Sequence, residues 1–354
     1  METNKKVLIA AGGTGGHLYP GLALSKELKR RNFEPIFIIG KKDNCKEYFS
    51  DEKYFEIPVK GMPRSISFKT IKFFYLLVLS IFRTWKLFKT LHPCAVYGMG
   101  GYVSFPVVFV AKIYGIPTII HEQNYIPGLA NKVVSKFADK ITVSYEDTKK
   151  YFNRKKTVLT GNPVRTDIFG KDYSDSCKKL GVSQGKFSIL VFGGSQGAKK
   201  INDFALESYK LLESNKDRVQ YLLISGKNDY ERIKGEYERN NIPGKVFSYI
   251  ESIGDAYEIA DMIICRAGAT TIAELNILNK PSVLVPYPFA TANHQEYNAK
   301  VLVNSNKAKM ILEKDLTASQ LAAEITHYLK NYSGHGNSPI LPKPLPQEIM
   351  ADLI

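Results

Sequence analysis

Cysteine is scarce in this sequence. The 354 residues contain 4 cysteines, Cys45, Cys94, Cys177 and Cys265, and no two of them form a Cys-x-x-Cys pair. This pattern argues against a disulfide framework and against a cysteine-based zinc site, and it favours a protein of a reducing compartment. The composition is otherwise that of an ordinary globular protein, and the length is sufficient for two domains that each bury a core.

The glycine clusters of the chain lack the two best-known nucleotide-binding patterns. Counted from Gly13, the sixth position of Gly-x-Gly-x-x-Gly is Leu18 rather than glycine, and no Gly-Lys-Ser/Thr sequence follows either cluster. A dinucleotide-dependent dehydrogenase and a P-loop NTPase are therefore disfavoured.

Acidic residues are absent between Glu56 and Glu122, although the formal net charge of the whole chain is +15. The same span contains the apolar run 73–82, which is too short to cross a bilayer, since crossing needs about 20 apolar residues. The basic residues of the span are Lys60, Arg64, Lys69, Lys72, Arg83, Lys86, Lys89 and Lys112.

This basic surplus implies an anionic partner. Basic residues that flank an apolar helix, with Trp85 close by, are typical of an element at the surface of an anionic membrane. A buried core helix with solvated basic ends is the alternative. Nucleic-acid binding is a third interpretation, disfavoured because the sequence contains no recognisable nucleic-acid module.

A strand–glycine–helix pattern occurs twice in the chain. The apolar residues 7–11 run into residues 12–17 (GGTGGH), and the apolar residues 188–192 run into residues 193–198 (GGSQGA). Glycine lets the backbone turn sharply and lets a phosphate approach it, and the following helix start offers unpaired N–H groups. The pair predicts two Rossmann-like halves, an arrangement that suits an enzyme with two substrates. Two simple tight turns are the alternative.

Strand and helix patterns alternate along the whole chain, which predicts an α/β fold with parallel sheets and helices on both faces. Ligands of such sheets bind at the carboxyl ends of the strands. Helices are predicted, for example, at 20–31 and 201–214. Strands are predicted at 6–11, 35–39, 94–97, 117–121, 140–143 and 157–159 in the first half, and at 188–192, 220–224, 245–248, 262–265 and 282–285 in the second.

The domain boundaries are predicted from proline, glycine and charge. We assign residues 1–163 to a first domain, 164–335 to a second and 336–354 to a tail rich in glycine and proline. The end of the tail, 347–354, is interpreted either as a short helix that packs back on the first domain or as a frayed terminus.

Seven motifs, in order and spread over roughly residues 5–330, resemble the MurG family of glycosyltransferases. They are residues 12–17 (GGTGGH), 100–106 (GGYVSFP), 121–124 (HEQN), 161–165 (GNPVR), 193–198 (GGSQGA), 266–271 (RAGATT) with Glu274, and 294–299 (HQEYNA). One departure is visible, because the family usually has aspartate where this chain has Asn293.

The resemblance implies the GT-B fold, in which two Rossmann-like domains face a central cleft. It implies inverting transfer of N-acetylglucosamine from UDP-GlcNAc to the C4 hydroxyl of the muramyl sugar of lipid I, giving lipid II and UDP in peptidoglycan synthesis. The first domain would bind the acceptor and the second UDP-GlcNAc. The protein would be peripheral on the cytoplasmic face of the cell membrane. It would contact the anionic surface through residues 64–89, from Arg64 to Lys89, with no nucleic acid as partner.

The resemblance also implies a donor site. Arg165 and Ser195, with the amides of residues 194–197, would bind the diphosphate. Glu274 would bind the ribose diol and the backbone of Ile250 the uracil. Helix capping, surface exposure and core packing are the alternative roles for these residues. Four more residues are expected to bind substrate, and the last two lie three apart on one predicted helix: Ala269, Thr270, Gln295 and Asn298.

Inversion needs a general base beside the acceptor hydroxyl. His17 and Glu122 are both candidates; Glu122 is alternatively a residue that orients a loop. Histidine titrates near neutral pH, which suits the role. Tyr102 is expected to line the acceptor site. The residues expected to contact the acceptor or the donor sugar are Thr14, Gly15, Gly16 and Asn124.

No metal ion and no cofactor are expected. The sequence contains no Asp-x-Asp pair, with which many sugar transferases hold a divalent cation, so helix dipoles and arginine would neutralise the departing diphosphate. The rival hypotheses are a GT-B transferase to a diacylglycerol acceptor, a UDP-sugar epimerase, and a non-catalytic membrane or nucleic-acid binder. An epimerase is disfavoured because it does not need the basic apolar segment.

Overall fold

The computed structural model describes residues 5–13, 15–41, 49, 51–61, 68–194, 197–332, 334 and 343–354. The chain forms two compact units. The first consists of Met1–Arg165 together with Lys343–Ile354, and the second of Thr166–Pro342.

The first unit is built on a seven-stranded sheet whose neighbouring strands are all parallel, in the order β3-β2-β1-β4-β5-β6-β7. Its strands are β1 (Lys6–Ala10), β2 (Glu34–Gly40), β3 (Tyr54–Ile57), β4 (Ala95–Gly98), β5 (Thr118–Glu122), β6 (Lys140–Val143) and β7 (Thr157–Leu159). Its helices up to this point of the chain are α1 (Gly15–Arg30), α2 (Phe68–Leu91), α3 (Ser104–Ile113) and α4 (Leu129–Val134), with 3₁₀ turns at Glu146–Tyr151 and Arg154–Lys156.

Alternate residues of the strands supply two separate cores, one on each face of the sheet, as the two-residue period of a strand requires. Leu8 and Ile38 point to the core shared with α2, α3 and α4. Val7 and Phe37 point to the core on the face of α1. All four side chains are fully buried.

The second unit repeats this plan with six parallel strands in the order β10-β9-β8-β11-β12-β13. Its strands are β8 (Phe187–Phe192), β9 (Val219–Ile224), β10 (Gly244–Phe247), β11 (Met262–Cys265), β12 (Ser282–Leu284) and β13 (Ala308–Met310). Its helices are α5 (Tyr173–Leu180), α6 (Lys199–Lys210), α7 (Tyr230–Arg239), α8 (Ile253–Ile259), α9 (Ala269–Leu278), α10 (His294–Asn304) and α11 (Ala318–Lys330), with 3₁₀ turns at Thr166–Ile168, Glu213–Arg218 and Thr291–Asn293.

A last helix, α12 (Pro346–Ala351), belongs to the first unit. Its Met350 is fully buried on the α1 face of the first sheet, and the backbone oxygen of Met350 accepts a hydrogen bond of 2.6 Å from the Tyr97 hydroxyl. The Gln347 side chain donates to the Val164 oxygen and accepts from the Val164 N–H. The helix therefore covers the core of the first unit with Met350, and it holds the backbone at Val164, near the end of the first stretch of that unit.

The expected α/β class with two Rossmann-like parallel sheets is confirmed. Two strands were not predicted, β3 and β13, and each lies at an edge of its sheet. Helix α1 begins at Gly15, five residues before the predicted start at 20. Within the described residues, no helix combines the length and the apolar character that crossing a bilayer requires.

Candidate functional site

The imidazole of His17 lies over a pair of glycines at the carboxyl edge of the first sheet. His17 is in the first turn of α1, directly after β1, and Gly100 follows the neighbouring strand β4. A Cβ placed on Gly100 would lie 2.6 Å from Nδ1 of His17, and the backbone of Gly100 has a φ of +99°. Only glycine therefore leaves room for this ring position.

Gln123 fixes the orientation of the His17 ring. It follows β5, the next strand of the sheet, and is buried. Its amide nitrogen donates to the Met99 oxygen at 2.5 Å, so its Oε1 is the atom that faces Nδ1 of His17, at 3.3 Å. Because an amide oxygen only accepts, this amide orientation puts the proton on Nδ1 and leaves the lone pair of the neutral ring on Nε2.

Glu122 is buried at the end of β5, and both of its carboxylate oxygens accept hydrogen bonds from the loop that follows. Oε1 accepts from the backbone and side-chain nitrogens of Asn124, at 2.9 and 3.2 Å. Oε2 accepts from the Gly128 N–H at 3.1 Å and from the Asn131 amide at 2.8 Å. Burial raises the pKa of Glu122 against the opposing effect of these four donors. The geometry favours the loop-orienting role.

Arg165 is the last residue of the first unit, and its guanidinium carbon lies 4.3 Å from the ring centroid of Tyr19. This cation–π contact holds the arginine beside the first turns of α1. Gly15 and Gly16 are the first two residues of that helix. Their neighbour Thr14 lies outside the described residues.

The glycine loop of the second unit is crowded by backbone atoms, its own and those at the end of β9. A Cβ on Gly197 would lie 2.1 Å from the Ser225 oxygen, and a Cβ on Gly193 would lie 2.3 Å from the nitrogen of Ala198. Both sites therefore exclude any side chain, and the loop turns tightly between β8 and α6. Ser195 lies outside the described residues, so its expected role stays a prediction.

The start of α9 carries three of the expected donor residues. Ala269 and Thr270 are its first two residues, both buried, and the Thr270 hydroxyl is buried with no hydrogen-bond partner among the described residues. Glu274 lies one turn further along, buried, and its Oε2 accepts a hydrogen bond of 2.8 Å from the Tyr257 hydroxyl. Tyr257 was not predicted, because nothing in the sequence links it to Glu274.

Gln295 and Asn298 both lie on α10. Gln295 is half-buried and its Oε1 accepts from the Tyr287 N–H at 2.9 Å, whereas Asn298 is fully buried and its Nδ2 lies 3.4 Å from the Ala267 oxygen. Asn293, at the N-cap position of this helix, has left-handed backbone angles of 52° and 28°, and its side chain makes no capping hydrogen bond. Asparagine adopts this conformation more readily than most residues, so it suits the position.

Ile250 is half-buried in the segment between β10 and α8, where it packs against the core on one face of the second sheet. Strand β10 is two strands away from β8 in the sheet. The site residues of the second unit thus follow strands β8, β10, β11 and β12 at the same edge of one parallel sheet. A contact of the Ile250 backbone with uracil stays a prediction.

Helix α2 presents an apolar stripe to solvent. Its opposite face is packed, since Ser80, Thr84 and Phe88 are buried. Helix α2 is therefore not a buried core helix. The exposed side chains recur at intervals of three or four residues, the spacing of one helix face: Ile71, Phe74, Tyr75, Val78, Phe82 and Trp85.

Lysines border this apolar stripe. Lys86 lies over the Phe82 ring, 4.6 Å from its centroid, and Lys89 lies over the Trp85 ring at 3.9 Å. The expected membrane segment begins at Arg64, which is outside the described residues. In the described part of the chain, no group of three or more His, Cys, Asp or Glu side chains is arranged to hold a metal ion.

The chain matches both halves of one protein family. Residues 7–143 match the glycosyltransferase family 28 N-terminal domain, and residues 188–335 match the family's C-terminal domain. A relative from Thermoanaerobacter sp. named UDP-N-acetylglucosamine--N-acetylmuramyl-(pentapeptide) pyrophosphoryl-undecaprenol N-acetylglucosamine transferase is 40% identical over 335 residues, which cover 92% of this chain and 91% of the relative.

Solved structures support the same assignment. The crystal structure of Acinetobacter baumannii MurG covers 99% of both chains with a TM-score of 0.71 and 26% sequence identity. A putative UDP-N-acetylglucosamine 2-epimerase from Listeria monocytogenes has a TM-score of 0.68 over 99% of this chain and 96% of its own, but at 12% identity it shares only the fold. The matches to both domain models, together with the identity over nine-tenths of the chain, establish that this chain belongs to glycosyltransferase family 28, within the MurG family.

Proposed function

We propose that this chain transfers N-acetylglucosamine from UDP-GlcNAc to the C4 hydroxyl of the muramyl sugar of lipid I, giving lipid II and UDP with inversion at the anomeric carbon. The observation that carries this proposal is the 40% identity, over nine-tenths of both chains, to a relative whose name states that donor and that acceptor.

His17 is the proposed general base. Its Nδ1 proton is directed at Gln123 Oε1, which leaves the lone pair on Nε2 to take the proton of the attacking hydroxyl. As the C4 oxygen forms its bond to the anomeric carbon, the bond from that carbon to the UDP oxygen breaks and the hydroxyl proton moves to Nε2. The Gln123 oxygen then stabilises the imidazolium by accepting from Nδ1.

Glu122 is proposed as a positioning residue. Its carboxylate accepts four hydrogen bonds from residues 124–131, so it fixes the conformation of that loop and the position of Asn124 within it. A carboxylate bonded in this way is poorly placed to take a proton from a substrate as well. Asn124 would contact the acceptor or the donor sugar.

The second unit is proposed to bind UDP-GlcNAc. The tight turn after Gly193 would place backbone N–H groups and the start of α6 at the diphosphate, and no side chain at Gly193 or Gly197 obstructs that approach. The buried Thr270 hydroxyl, at the start of α9, is a donor suited to a phosphate or ribose oxygen. The Glu274 carboxylate, oriented by Tyr257, is suited to the ribose diol.

The exposed stripe of α2 is proposed to lie against the anionic cytoplasmic face of the membrane, where a lipid-linked acceptor is found. Apolar insertion and lysine attraction act together, the latter supplying about 1 kcal/mol per basic residue near the surface. Raising the salt concentration from 0.05 to about 0.5 M should therefore release the protein from anionic vesicles. Partitioning that did not respond to salt would remove the electrostatic part of this proposal.

The decisive experiment is transfer of radiolabelled N-acetylglucosamine from UDP-GlcNAc to a lipid I analogue, with EDTA present, by the wild type and by Glu274→Gln. Label in the lipid product, strongly reduced in the variant through a higher KM for UDP-GlcNAc, is expected. Glu236→Gln makes the same substitution on α7, outside the proposed donor site. It is the control and should behave as wild type. UDP binding without transfer to lipid would overturn the acceptor assignment, and label recovered in an epimerised UDP-sugar would identify an epimerase.

A further inference from the structure

An apolar groove of about 220 Å³ lies in the first unit where α2, α3 and α4 meet. Phe73 and Leu77 of α2 form one wall, Phe105 of α3 lies at its side, and Leu129 and Val133 of α4 form the other wall. His17, Glu122 and Gln123 do not line the groove, and of the residues given a role above only Tyr102, expected in the acceptor site, does so.

The volume and chemistry of this groove fit a short piece of branched hydrocarbon. An enclosed apolar cavity of about 150 Å³ admits a benzene molecule, so the groove admits on the order of one or two five-carbon units. Its walls offer branched and aromatic side chains, which gain from apolar contact and give nothing to a polar ligand.

At one side the groove is continuous with the exposed stripe of α2. Phe73 and Leu77 line the groove, and Phe74 and Val78, the next residue after each on the same helix, are 54% and 66% exposed. Leu129 at the opposite wall is 62% exposed. A hydrocarbon chain that left the groove would therefore emerge beside the surface that we place against the membrane.

At the other side the groove approaches the proposed base. Tyr102 lines the groove and is two residues from Gly100, against which the His17 ring is packed. Two residues span at most about 7 Å. Lys60, exposed, lies at the groove beside Tyr102, since a Cβ on the adjacent Gly61 would be 3.0 Å from the Tyr102 ring.

This order of features matches the order of groups in a lipid-linked sugar. A sugar hydroxyl at His17, an anionic diphosphate near Lys60 and a hydrocarbon chain in the groove follow one another along the surface of one unit. The span from 57 to 121 contains no acidic residue that would repel the diphosphate.

We propose that the groove binds the first one or two isoprene units of the acceptor's polyprenyl chain, with Lys60 pairing to the diphosphate that precedes them. The proposal rests on the proposed function, because it names the acceptor of the same site. In this proposal the groove binds the acceptor lipid specifically, whereas the α2 stripe contacts the membrane without lipid specificity.

The first test is direct binding by calorimetry in buffer free of vesicles and detergent, with farnesyl diphosphate below its micellar concentration as the probe. We expect binding to the wild type at least about tenfold tighter than that of inorganic diphosphate, a difference of about 1.4 kcal/mol. Ala130→Phe fills the groove from α4 and should abolish that difference, whereas Ala323→Phe, the same change at an exposed position of α11, should not.

Phe73→Ala, which removes a wall, is a second variant in case Ala130→Phe fails to fold, and thermal melting checks both. Equal affinity of the wild type and a folded groove variant for farnesyl diphosphate would overturn the proposal, as would equal affinity of the wild type for the two probes. Tighter binding of a linear dodecyl phosphate than of farnesyl diphosphate would also overturn it, because it would identify a site for membrane acyl chains.

The second test compares acceptors with and without a 15-carbon isoprenoid tail. In the wild type the tail should lower the acceptor KM roughly tenfold, and Ala130→Phe should lose this preference while the KM for UDP-GlcNAc is unchanged. If both acceptors are used with one KM, the groove proposal fails and the proposed function stands. If neither acceptor receives label, the proposed function fails, and the calorimetry still decides whether the groove binds an isoprenoid.

Discussion

The glycine-rich junctions of the two units use the same sequence device for different purposes. In the first unit, a Cβ on Gly100 would collide with a side chain, the imidazole of His17. In the second unit, a Cβ on Gly197 would collide with backbone, the Ser225 oxygen. The first glycine makes room for the ring of the proposed general base, and the second lets the loop approach the main chain at the end of β9.

This difference teaches that glycine at a strand end does not by itself indicate a phosphate site. Where the crowded neighbour is a side chain, as at Gly100, the glycine gives room to that side chain, and where it is backbone, as at Gly197, the glycine lets two stretches of main chain approach each other.

The largest effect is expected for His17→Gln. Loss of the general base should lower kcat by about 10²- to 10⁴-fold, while the Kd of UDP stays within twofold of wild type, because the donor contacts are assigned to the other unit. Steady-state kinetics and calorimetry with UDP would measure the two quantities. His327→Gln on α11 is the control. Loss of UDP binding together with kcat would contradict the division of roles.

Alanine at each of the two glycines should separate catalysis from donor binding. Gly100→Ala should displace the His17 ring and lower kcat by roughly 100-fold, with UDP binding retained. Gly197→Ala cannot relieve a 2.1 Å contact with backbone without moving the loop, so it should weaken UDP binding and destabilise the protein by about 3 kcal/mol. The same defect in both variants would refute the comparison.

The pH dependence of stability distinguishes a structural histidine from the one in the site. His121 is fully buried, and burial lowers its pKa to about 4, against about 6.5 in the unfolded chain. The unfolded state therefore binds more protons between these values, so stability is lost as the pH falls from about 6.5 towards 4. The loss at pH 5 should be about 2 kcal/mol.

Urea unfolding at pH 7 and pH 5 would measure this loss. His121→Gln removes the titrating group, so its stability should fall less between the two pH values than that of the wild type. The comparison within each variant cancels the constant cost of replacing a side chain bonded to Thr142 and Asn162. An identical fall in both proteins would show that other groups control the acid sensitivity.

The smallest effect is expected at Asn293, where the resemblance implies aspartate. Asn293→Asp should leave the KM for UDP-GlcNAc within twofold, because both residues tolerate left-handed backbone angles. Asn293→Val should raise that KM, since a β-branched residue is strained there by about 1–2 kcal/mol and Gln295 lies two residues away. A large effect of Asn293→Asp would instead indicate a direct substrate contact.

Most of the fold could be predicted because its central strands are buried on both faces. Such strands appear as apolar runs: β11 has the predicted bounds, and β8 begins one residue before its predicted start. Strands β3 and β13 lie at sheet edges, are only partly buried and contain a Glu or a Lys, so they show no such run.

The start of α1 was predicted too late for a related reason. The helix opens with two glycines, the poorest helix formers after proline, so sequence propensity places the start further along.

The sequence was enough to predict which residues belong to the candidate site, but not which residues they contact. His17, Glu122 and Glu274 stand in short motifs at strand or helix ends and can be found from the sequence. The residues that they contact are determined by the fold. Gln123, for example, is 106 residues from His17 in the sequence, and the motif at 121–124 did not indicate a role for Gln123. The buried Thr270 hydroxyl is likewise visible only when its surroundings are known.

Helix α12 has a consequence for the order in which this protein is made. Residues 343–354 complete the core of the first unit with Met350, and they are held at the surface by Arg31, which donates to the Glu348 oxygen and pairs with Asp352. The ribosome delivers every residue of the second unit before it delivers these. During synthesis the second unit is therefore the first that can finish folding. The core of the first unit stays partly uncovered on the α1 face of its sheet until residues 343–354 have been made.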